Sequence, residues 1–294
     1  MNIPIIISFF MLACSSPVGA ATFKDAMGRE ITLHKIPTRI VSLAPSITET
    51  LYFLGLGERV VGVTEFSYYP PEATEKPKIG SYIDLNVEKI LSLSPELAIG
   101  TKDGNQPGIV ELLEQAGIPV FILNPRNVKG AIETISQIGM LCGVQKKAEL
   151  LSGRLNRRLE TVQNAVTSRK RPLVFLQINL RPIMAVNRNT FHHDLITLAG
   201  GINLAKDEAM TYPRISREEV IRRQPEVIII SSMDRGGGFE EARKEWLEWT
   251  SIPAVKMNRV HLINSDLIDR PSPRIIDGLE ALVRLIHPEI EWKQ

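Results

Sequence analysis

Two tyrosines and two glutamates recur at the same spacing in the two halves of this 294-residue chain. Tyr82 lies six residues before Glu88, and Tyr212 lies six residues before Glu218. Two such rings facing each other could clamp a large flat or amphipathic ligand, although loop tyrosines also commonly cover the edges of a core. The two glutamates could stabilise helix dipoles or present two negative charges to a partner.

The tyrosine–glutamate pairs belong to a longer repeated phrase. It spans residues 86–99 in the first half and residues 216–230 in the second. Each copy starts with a helix N-cap residue, places a carboxylate in the first turn, and ends its helix before a proline. An apolar strand then follows. A phrase repeated at this distance predicts two similar lobes with a cleft between them.

A second polar cluster consists of Asp266 and Arg270, in a segment between a predicted strand and a predicted helix. In doubly wound sheets, loops at the carboxyl ends of strands line the ligand crevice. A carboxylate and a guanidinium at that position could hydrogen-bond amide or carboxylate groups of a ligand. The alternative is a local ion pair, which contributes little when exposed.

The elements that position these residues alternate between short apolar strands and helices. This pattern predicts an α/β fold with two doubly wound lobes, residues 21–143 and residues 170–294. Residues 144–169 form a long amphipathic stretch that we interpret as a single helix connecting the lobes. Within the second lobe, Leu173–Ile178 and Met184–Val186 are predicted strands.

Composition excludes several classes of protein. The chain is 44% hydrophobic and 23% charged, with a net charge of +2. These values are typical of soluble globular proteins, and the absence of a basic block gives no indication of nucleic-acid binding. After removal of the N-terminal segment discussed next, Cys142 is the only cysteine, so no internal disulfide is expected.

Residues 1–20 read as a secretory signal that is cleaved after Ala20. They contain an apolar run and no charged residue, and the run is too short to span a bilayer. Export to the periplasm is therefore predicted. Cys14 in Leu12-Ala13-Cys14 leaves an alternative, in which the mature protein is a lipoprotein anchored at that cysteine.

Signatures of catalysis are missing from the sequence. It contains no phosphate-binding GxxxxGKS loop and no GxSxG nucleophile elbow. The five histidines do not assemble a zinc site by spacing, and we interpret His192 and His193 as a polar helix start. We therefore predict no catalytic residue, no metal site and no cofactor. The competing class is an enzyme on a similar bilobed fold, such as a metal-cluster reductase or chelatase, which would need cysteine clusters or convergent histidines.

Several stretches together resemble one family of transport proteins. They are RIVSLAPSITETLYFLG (39–55), FSYYPPEA (66–73), LNVEKILSLSPELAI (85–99), VFLQI (174–178), YPRISREEVIRRQPEVIII (212–230) and SPRIIDGLEAL (272–282). The chain resembles the periplasmic substrate-binding proteins of ABC importers for cobalamin, haem or ferric siderophores. Within that family it is most similar to the cobalamin-binding members. The resemblance implies two α/β lobes on one helical hinge, which permits only small closure.

The resemblance also implies roles for individual residues. Phe66, Tyr82 and Tyr212 match the positions of ring-stacking aromatics in the cobalamin binders. Asp266 and Arg270 match the positions that contact the polar edge of the ligand.

The glutamates have a different role in the family. Glu88 and Glu218 would dock on arginines of the membrane permease, one glutamate from each lobe. The expected partners are therefore an ABC permease with its ATPase and a small-molecule ligand, and the protein itself is expected to be a monomer.

The chain departs from the cobalamin-binding pattern in its aromatic residues. The relatives usually carry tryptophan where Tyr82 and Tyr212 stand, and another aromatic where Thr101 stands. A related corrinoid or a different chelate is thus an alternative ligand. Haem binders place an iron-ligating tyrosine directly after the glycine equivalent to Gly80, where this chain has Ser81. Haem is therefore disfavoured, and ferric siderophores stay open.

Overall fold

The computed structural model describes residues 20–231 and 238–291. The predicted signal segment up to residue 19, with the lipidation candidate Cys14, lies outside the described residues. The described chain begins with an antiparallel hairpin of strands β1 (Ala21–Lys24) and β2 (Glu30–Leu33), which the sequence analysis did not predict.

The first lobe is built on a four-stranded parallel sheet. Its strands are β3 (Ile40–Ser42), β4 (Val60–Val63), β5 (Leu97–Thr101) and β6 (Val120–Leu123). They lie in the order β4-β3-β5-β6. Its helices are α1 (Pro45–Phe53), α2 (Val87–Ser92), α3 (Pro107–Gln115) and α4 (Val128–Leu141), with 3₁₀ turns at Gly57–Arg59 and Pro71–Glu75.

One long helix, α5 (Gln145–Val166), leads from the first lobe to the second. At 1.5 Å per residue, its 22 residues span about 33 Å. The helix lies within the predicted connector 144–169. Its buried face carries leucines at helical spacing, among them Leu151, Leu155 and Leu159, which explains why this charged stretch folds as an amphipathic helix.

The second lobe repeats the architecture of the first. Its strands are β7 (Leu173–Gln177), β8 (Ile202–Asn203), β9 (Val227–Ile230) and β10 (Val260–Leu262). All are parallel, in the order β8-β7-β9-β10. Its helices are α6 (Phe191–Leu198), α7 (Arg217–Arg223), α8 (Phe239–Leu247), α9 (Pro253–Lys256), α10 (Ser265–Ile268) and α11 (Ile275–Ile286).

Both sheets share one topology. In each sheet, the strand that comes first along the chain lies between the second and the third, and the fourth lies at an edge. The two copies of the repeated phrase form equivalent elements, α2 with β5 and α7 with β9. The predicted fold class, two α/β lobes with parallel sheets, is confirmed.

The two copies of the repeated phrase start and end their helices in the same way. The N-cap side chains of Asn86 and Ser216 each accept the backbone N–H three residues on, at 2.7 and 3.2 Å. The residues before the two prolines, Ser94 and Gln224, adopt left-handed φ angles of 45° and 52°. This conformation stops each helix and turns the chain into the following strand.

One predicted strand is wrong. The segment 184–186 forms no strand, because Met184 makes only isolated bridges with Asn179 and Arg214. Ala185 and Val186 are buried, so the apolar run reflects packing rather than membership of a sheet. Short apolar runs do not distinguish these two cases.

The lobes share a core. One continuous apolar cluster includes Ile99 of the first sheet, Ile229 of the second sheet, and Leu155 of α5. The opposite faces of the sheets pack in separate clusters, which contain Val41 in the first lobe and Ile228 in the second. Because a single core joins the two inner faces, the lobes cannot separate without exposing apolar surface. Among the helices in the described part of the chain, none is long and apolar enough to cross a membrane.

Candidate ligand cleft

Two adjoining cavities lie between the lobes. The tyrosine compartment measures about 400 Å³ and the arginine compartment about 410 Å³. The tyrosine compartment is lined by Ser46, Tyr82, Thr101, Lys102, Asp103, Leu123, Asn124, Pro125, Ile178, Asn179, Met184, Phe191, His192, Tyr212, Asp269 and Pro271. The arginine compartment is lined by Ala44, Pro45, Ser46, Phe66, Ser81, Tyr82, Ile83, Ser265, Asp266, Asp269, Arg270 and Pro271. The four residues common to both mark where the compartments meet.

The five sequence-predicted ligand contacts all line this cleft. Phe66, Asp266 and Arg270 lie in the arginine compartment, and Tyr212 lies in the tyrosine compartment. Tyr82 lines both. The structure thus brings together residues that are up to 204 positions apart, such as Phe66 and Arg270.

Glu88 and Glu218, the predicted docking residues, line neither compartment. Each lies in the first turn of its helix, Glu88 in α2 and Glu218 in α7, and each is exposed. Neither side chain forms an ion pair with a residue that the structure describes. Hydrogen bonds from its own backbone N–H and from Ser216 hold the pKa of Glu218 below its usual value, so this carboxylate is charged at neutral pH.

Tyr82 is held firmly in the loop before α2. Its hydroxyl lies 2.8 Å from the Thr101 hydroxyl at the end of β5, and its carbonyl accepts a hydrogen bond of 3.2 Å from the Asn105 amide. Burial raises the pKa of Tyr82, although the Thr101 hydrogen bond opposes this shift. The phenol therefore stays protonated at neutral pH.

Tyr212 approaches from the second lobe. Burial raises its pKa, and the negative charge of Asp103 adds to the effect. Within the described residues, the Tyr212 hydroxyl forms no hydrogen bond, in contrast to Tyr82. Both walls of the tyrosine compartment therefore present neutral phenols, which suit stacking on a flat ligand.

Arg270 joins the two lobes. Its guanidinium pairs with Asp266 at 2.9 Å and donates to the Phe66 carbonyl at 3.0 Å and to Glu49 at 3.3 Å. The side chains of Arg270 and Asp266 are only 12% and 19% exposed, so this ion pair is largely removed from water. The local ion pair considered as an alternative is thus present, and part of the donor capacity of Arg270 is already engaged.

Glu49 of α1 is a buried hub that the sequence analysis missed. Its side chain is fully buried and accepts a hydrogen bond of 2.6 Å from the Ser272 hydroxyl. Arg274 donates two further bonds of 2.8 Å, and its guanidinium lies 3.9 Å from the centre of the Tyr69 ring. Burial opposes the charged form of Arg274, but hydrogen bonding to Glu49 raises its pKa overall. The available signal was a carboxylate in a helix, α1, that carries no other charged residue.

His192 and Asp269 were also missed as cleft residues. His192 is 4% exposed, and its Nε2 lies 2.9 Å from Asp269. The other oxygen of Asp269 accepts a 2.9 Å hydrogen bond from Ser231. His192 lies in the first turn of α6, in agreement with the predicted helix start, and its side chain lines the tyrosine compartment. Residues 20–231 and 238–291 contain no group of three or more potential metal ligands.

Most of this cleft lies in the part of the chain that matches a known protein family. The family model for periplasmic binding protein matches residues 40–267, which include both sheets and most of the cleft. This chain belongs to that family. The resemblance found in the sequence is thereby confirmed.

Individual relatives extend this result. The chain is 32% identical over 244 residues to a vitamin B12-binding protein of Vibrio campbellii, covering 82% of this chain and 86% of the relative. It is 30% identical over 275 residues to an uncharacterised ABC transporter substrate-binding lipoprotein of Bacillus subtilis, covering 91% and 86%. Among solved structures, the apo periplasmic heme-binding protein RhuT from Roseiflexus sp. RS-1 superposes with a TM-score of 0.77 at 28% identity, covering 85% and 98%.

These relatives are binding proteins, and one is a component of an ABC transporter. At the family level, the chain is therefore a substrate-binding transport protein and not an enzyme. The names of the relatives give vitamin B12 and heme as bound ligands, and no resident cofactor is indicated.

Proposed function

We propose that this protein captures cobalamin or a related corrinoid in the cleft and delivers it to an ABC permease. One observation carries the proposal: Tyr82 and Tyr212, from opposite lobes, line the same cavity. A cavity walled by aromatic rings suits a large flat macrocycle. The similarity to a vitamin B12-binding protein supports the same ligand class.

The remaining cleft residues supply polar contacts at the edge of such a ligand. Asp266 and Arg270 lie in the arginine compartment beside Phe66, and a corrinoid carries amide groups around its rim that these side chains would hydrogen-bond. Asp269 lines both compartments and would serve as a further acceptor. Stacking holds the faces of the ligand, and these groups orient its edge.

Haem is the second candidate, because a heme-binding protein is among the similar structures. A phenol that ligates ferric iron must lose its proton, and burial raises the pKa of both Tyr82 and Tyr212. The Tyr82 hydroxyl is in addition engaged with Thr101. Both facts favour a corrinoid over haem, and a ferric siderophore is the third candidate to be titrated.

The ligand is tested by calorimetric titration of the mature protein with cyanocobalamin, haemin and a ferric hydroxamate siderophore. We expect cyanocobalamin to bind more tightly than haemin or the siderophore, and to raise the melting temperature the most, because a ligand that binds the native state stabilises it. Tyr212→Ala should weaken binding about tenfold or more, in line with the loss of a stacking ring. Trp249→Ala, which removes an exposed ring outside the cleft, is the matched control. Absence of cyanocobalamin binding at high micromolar concentration would overturn the assignment.

For delivery, we propose that Glu88 and Glu218 dock on the permease, one from each lobe. Reversal of both charges to arginine should leave the affinity for cyanocobalamin unchanged and reduce ATP-driven uptake in proteoliposomes that contain the permease and its ATPase. The double variant Glu133→Arg/Glu160→Arg carries the same change in net charge at exposed sites on α4 and α5 and is the control. Equal uptake by the two double variants would assign Glu88 and Glu218 to helix stabilisation alone.

We further propose that the mature protein is a periplasmic monomer that begins at Ala21. Mass spectrometry of the purified N-terminus distinguishes this start from a lipid-modified Cys14. Light scattering at micromolar concentration measures the oligomeric state.

A further inference from the structure

Gly104, in the loop after β5, lies directly against the ring of Tyr82. A Cβ atom at residue 104 would lie 1.7 Å from Cζ of Tyr82 and 2.2 and 2.1 Å from Cε1 and Cε2. Both Cε distances are too short for a point in the ring plane beyond Cζ, so this Cβ would lie above the face of the ring rather than at its edge. Real Cβ atoms do not approach other atoms closer than 3.0 Å, so only glycine permits this position of the ring.

A glycine is required at residue 104 because there is no room for a side chain, and not because of the backbone conformation. The φ angle of Gly104 lies outside the left-handed region that favours glycine. A larger residue would therefore suit the backbone of Gly104 but not the neighbouring ring.

The surrounding contacts prevent the ring from moving sideways. The Tyr82 hydroxyl is bonded to Thr101, and the buried Asn105 amide donates to the carbonyls of Tyr82 and Leu43 at 3.2 and 3.0 Å. The carbonyl oxygen of the Asn105 side chain accepts the backbone N–H of Thr101 at 2.7 Å. The loop from Thr101 to Asn105 therefore holds Tyr82 by its edge and by one face.

The covered face determines which side of the ring is available to a ligand. Gly104 occupies one face of the Tyr82 ring, so only the opposite face is open to stacking by a ligand. The ring lines both compartments of the cleft. Tyr212 lines the tyrosine compartment from the second lobe. The contact with Gly104 therefore sets how far the open face of Tyr82 stands from the loop that carries Gly104.

We propose that Gly104 is a positioning residue that sets Tyr82 back, so that the gap between the two lobes admits a macrocycle with axial groups on its faces. The inference rests on the proposed function and extends it to a class of ligand. A methyl group at residue 104 would push the ring away from the loop by roughly 1.3 Å, the difference between 1.7 and 3.0 Å. A thick corrinoid would lose this space, whereas a thin, flat porphyrin without metal needs less of it.

The binding test compares Gly104→Ala with Gly108→Ala. A Cβ at residue 108 meets no atom within 4 Å, so this variant adds the same methyl group in the same region without a clash. We expect Gly104→Ala to weaken cyanocobalamin binding about tenfold or more, the usual consequence of overpacking, and Gly108→Ala to leave it unchanged. Metal-free protoporphyrin should lose less affinity than cyanocobalamin in Gly104→Ala. An equal loss for both probes, or an unchanged cyanocobalamin affinity, would overturn the proposal.

Two measurements on the ligand-free protein separate this inference from the proposed function. In protein with ¹³C-labelled tyrosine, Gly104→Ala should shift the Tyr82 ring signal, assigned through Tyr82→Phe, and leave the Tyr69 signal in place. Gly104→Ala should also lower the urea midpoint in the presence of Tyr82 but not in a Tyr82→Ala background, where the methyl group has room. If the wild type binds no cyanocobalamin, the proposed function fails and the porphyrin comparison decides the width of the gap. An unshifted Tyr82 signal, or the same fall in both backgrounds, contradicts the role of Gly104.

Discussion

The two lobes have the same strand order but connect their first strand to the following helix differently. In the first lobe only residues 43–44 separate β3 from α1, whereas residues 178–190 separate β7 from α6. After this short connection, α1 reaches the lobe interface, where its Glu49 accepts hydrogen bonds from Ser272 and Arg274 of the second lobe. The long one contributes Ile178, Asn179 and Met184 to the wall of the tyrosine compartment. The shared topology thus places the cleft, and the unequal loops determine its walls.

The same difference extends to the two cleft tyrosines. Tyr82 of the first lobe is fixed by Thr101 and rests on Gly104, while the hydroxyl of Tyr212 has no hydrogen-bond partner among the described residues. The first lobe therefore presents a rigid wall and the second lobe a more adaptable one. Equivalent positions in a duplicated fold need not be held with equal firmness.

The largest expected effect concerns the contact that joins the lobes. Glu49→Ala removes a fully buried carboxylate and leaves the guanidinium of Arg274 without its buried partner. Breaking such a pair costs about 3–5 kcal/mol of the free energy of unfolding. Urea denaturation followed by circular dichroism measures the loss, and the exposed Glu58→Ala is the control.

The shape of the same denaturation curve tests how far the lobes are independent. Because one apolar cluster spans both sheets, we expect Glu49→Ala to unfold in a single transition at lower urea concentration. Two separated transitions would show that the lobes are independent units connected mainly through Glu49. A loss below about 1 kcal/mol would place the Glu49 network among weak surface pairs.

The repeated phrase in the sequence predicted the two lobes because its signals are local. N-cap residues, helix-ending prolines and apolar strands act within a few positions, and the structure has each of them in both copies. The loop tyrosines followed from the same spacing. The role of Glu49 was not predictable, because its partners Ser272 and Arg274 lie more than 200 positions away. Gly104 was missed for a similar reason, since only the folded chain brings the ring of Tyr82 against it.

An intermediate effect on the free energy of unfolding is expected from removing the hydroxyl groups of the two cleft tyrosines. Tyr82→Phe leaves the buried Thr101 hydroxyl without its partner, which costs about 0.5–1.5 kcal/mol of the free energy of unfolding. Tyr212→Phe removes a hydroxyl that bonds no described residue, so its effect should stay within about 0.5 kcal/mol. Urea denaturation of both variants measures the difference. Equal losses would contradict the contrast between a rigid and an adaptable wall.

The smallest expected effect on the free energy of unfolding concerns two glutamates, which the repeat places at the start of β5 and β9. Glu96 bonds Lys35 and the backbone N–H of Thr38, and Glu226 bonds Lys170 at 2.5 Å and the backbone N–H of Leu173 at 3.1 Å. The hydrogen bond from the lysine is in each case the main cause of a lowered pKa. The pKa of Glu96 falls from 4.5 to about 2, and that of Glu226 falls in the same direction.

A lowered carboxyl pKa fixes the sign of the pH dependence. The contribution of Glu96 to stability is complete above about pH 4.5, where the unfolded carboxyl is ionised, and is lost as the pH falls toward about 2. Glu96→Gln should therefore lower the free energy of unfolding at pH 7 by less than about 1 kcal/mol, because the pair is partly exposed. The difference from wild type should shrink between pH 4.5 and pH 2. Glu226→Gln should show the same trend, and Glu111→Gln, at an exposed glutamate on α3, is the control. If the loss of unfolding free energy in either variant stays constant from pH 7 to pH 2, the substitution acts through packing and not through the charge of the carboxylate.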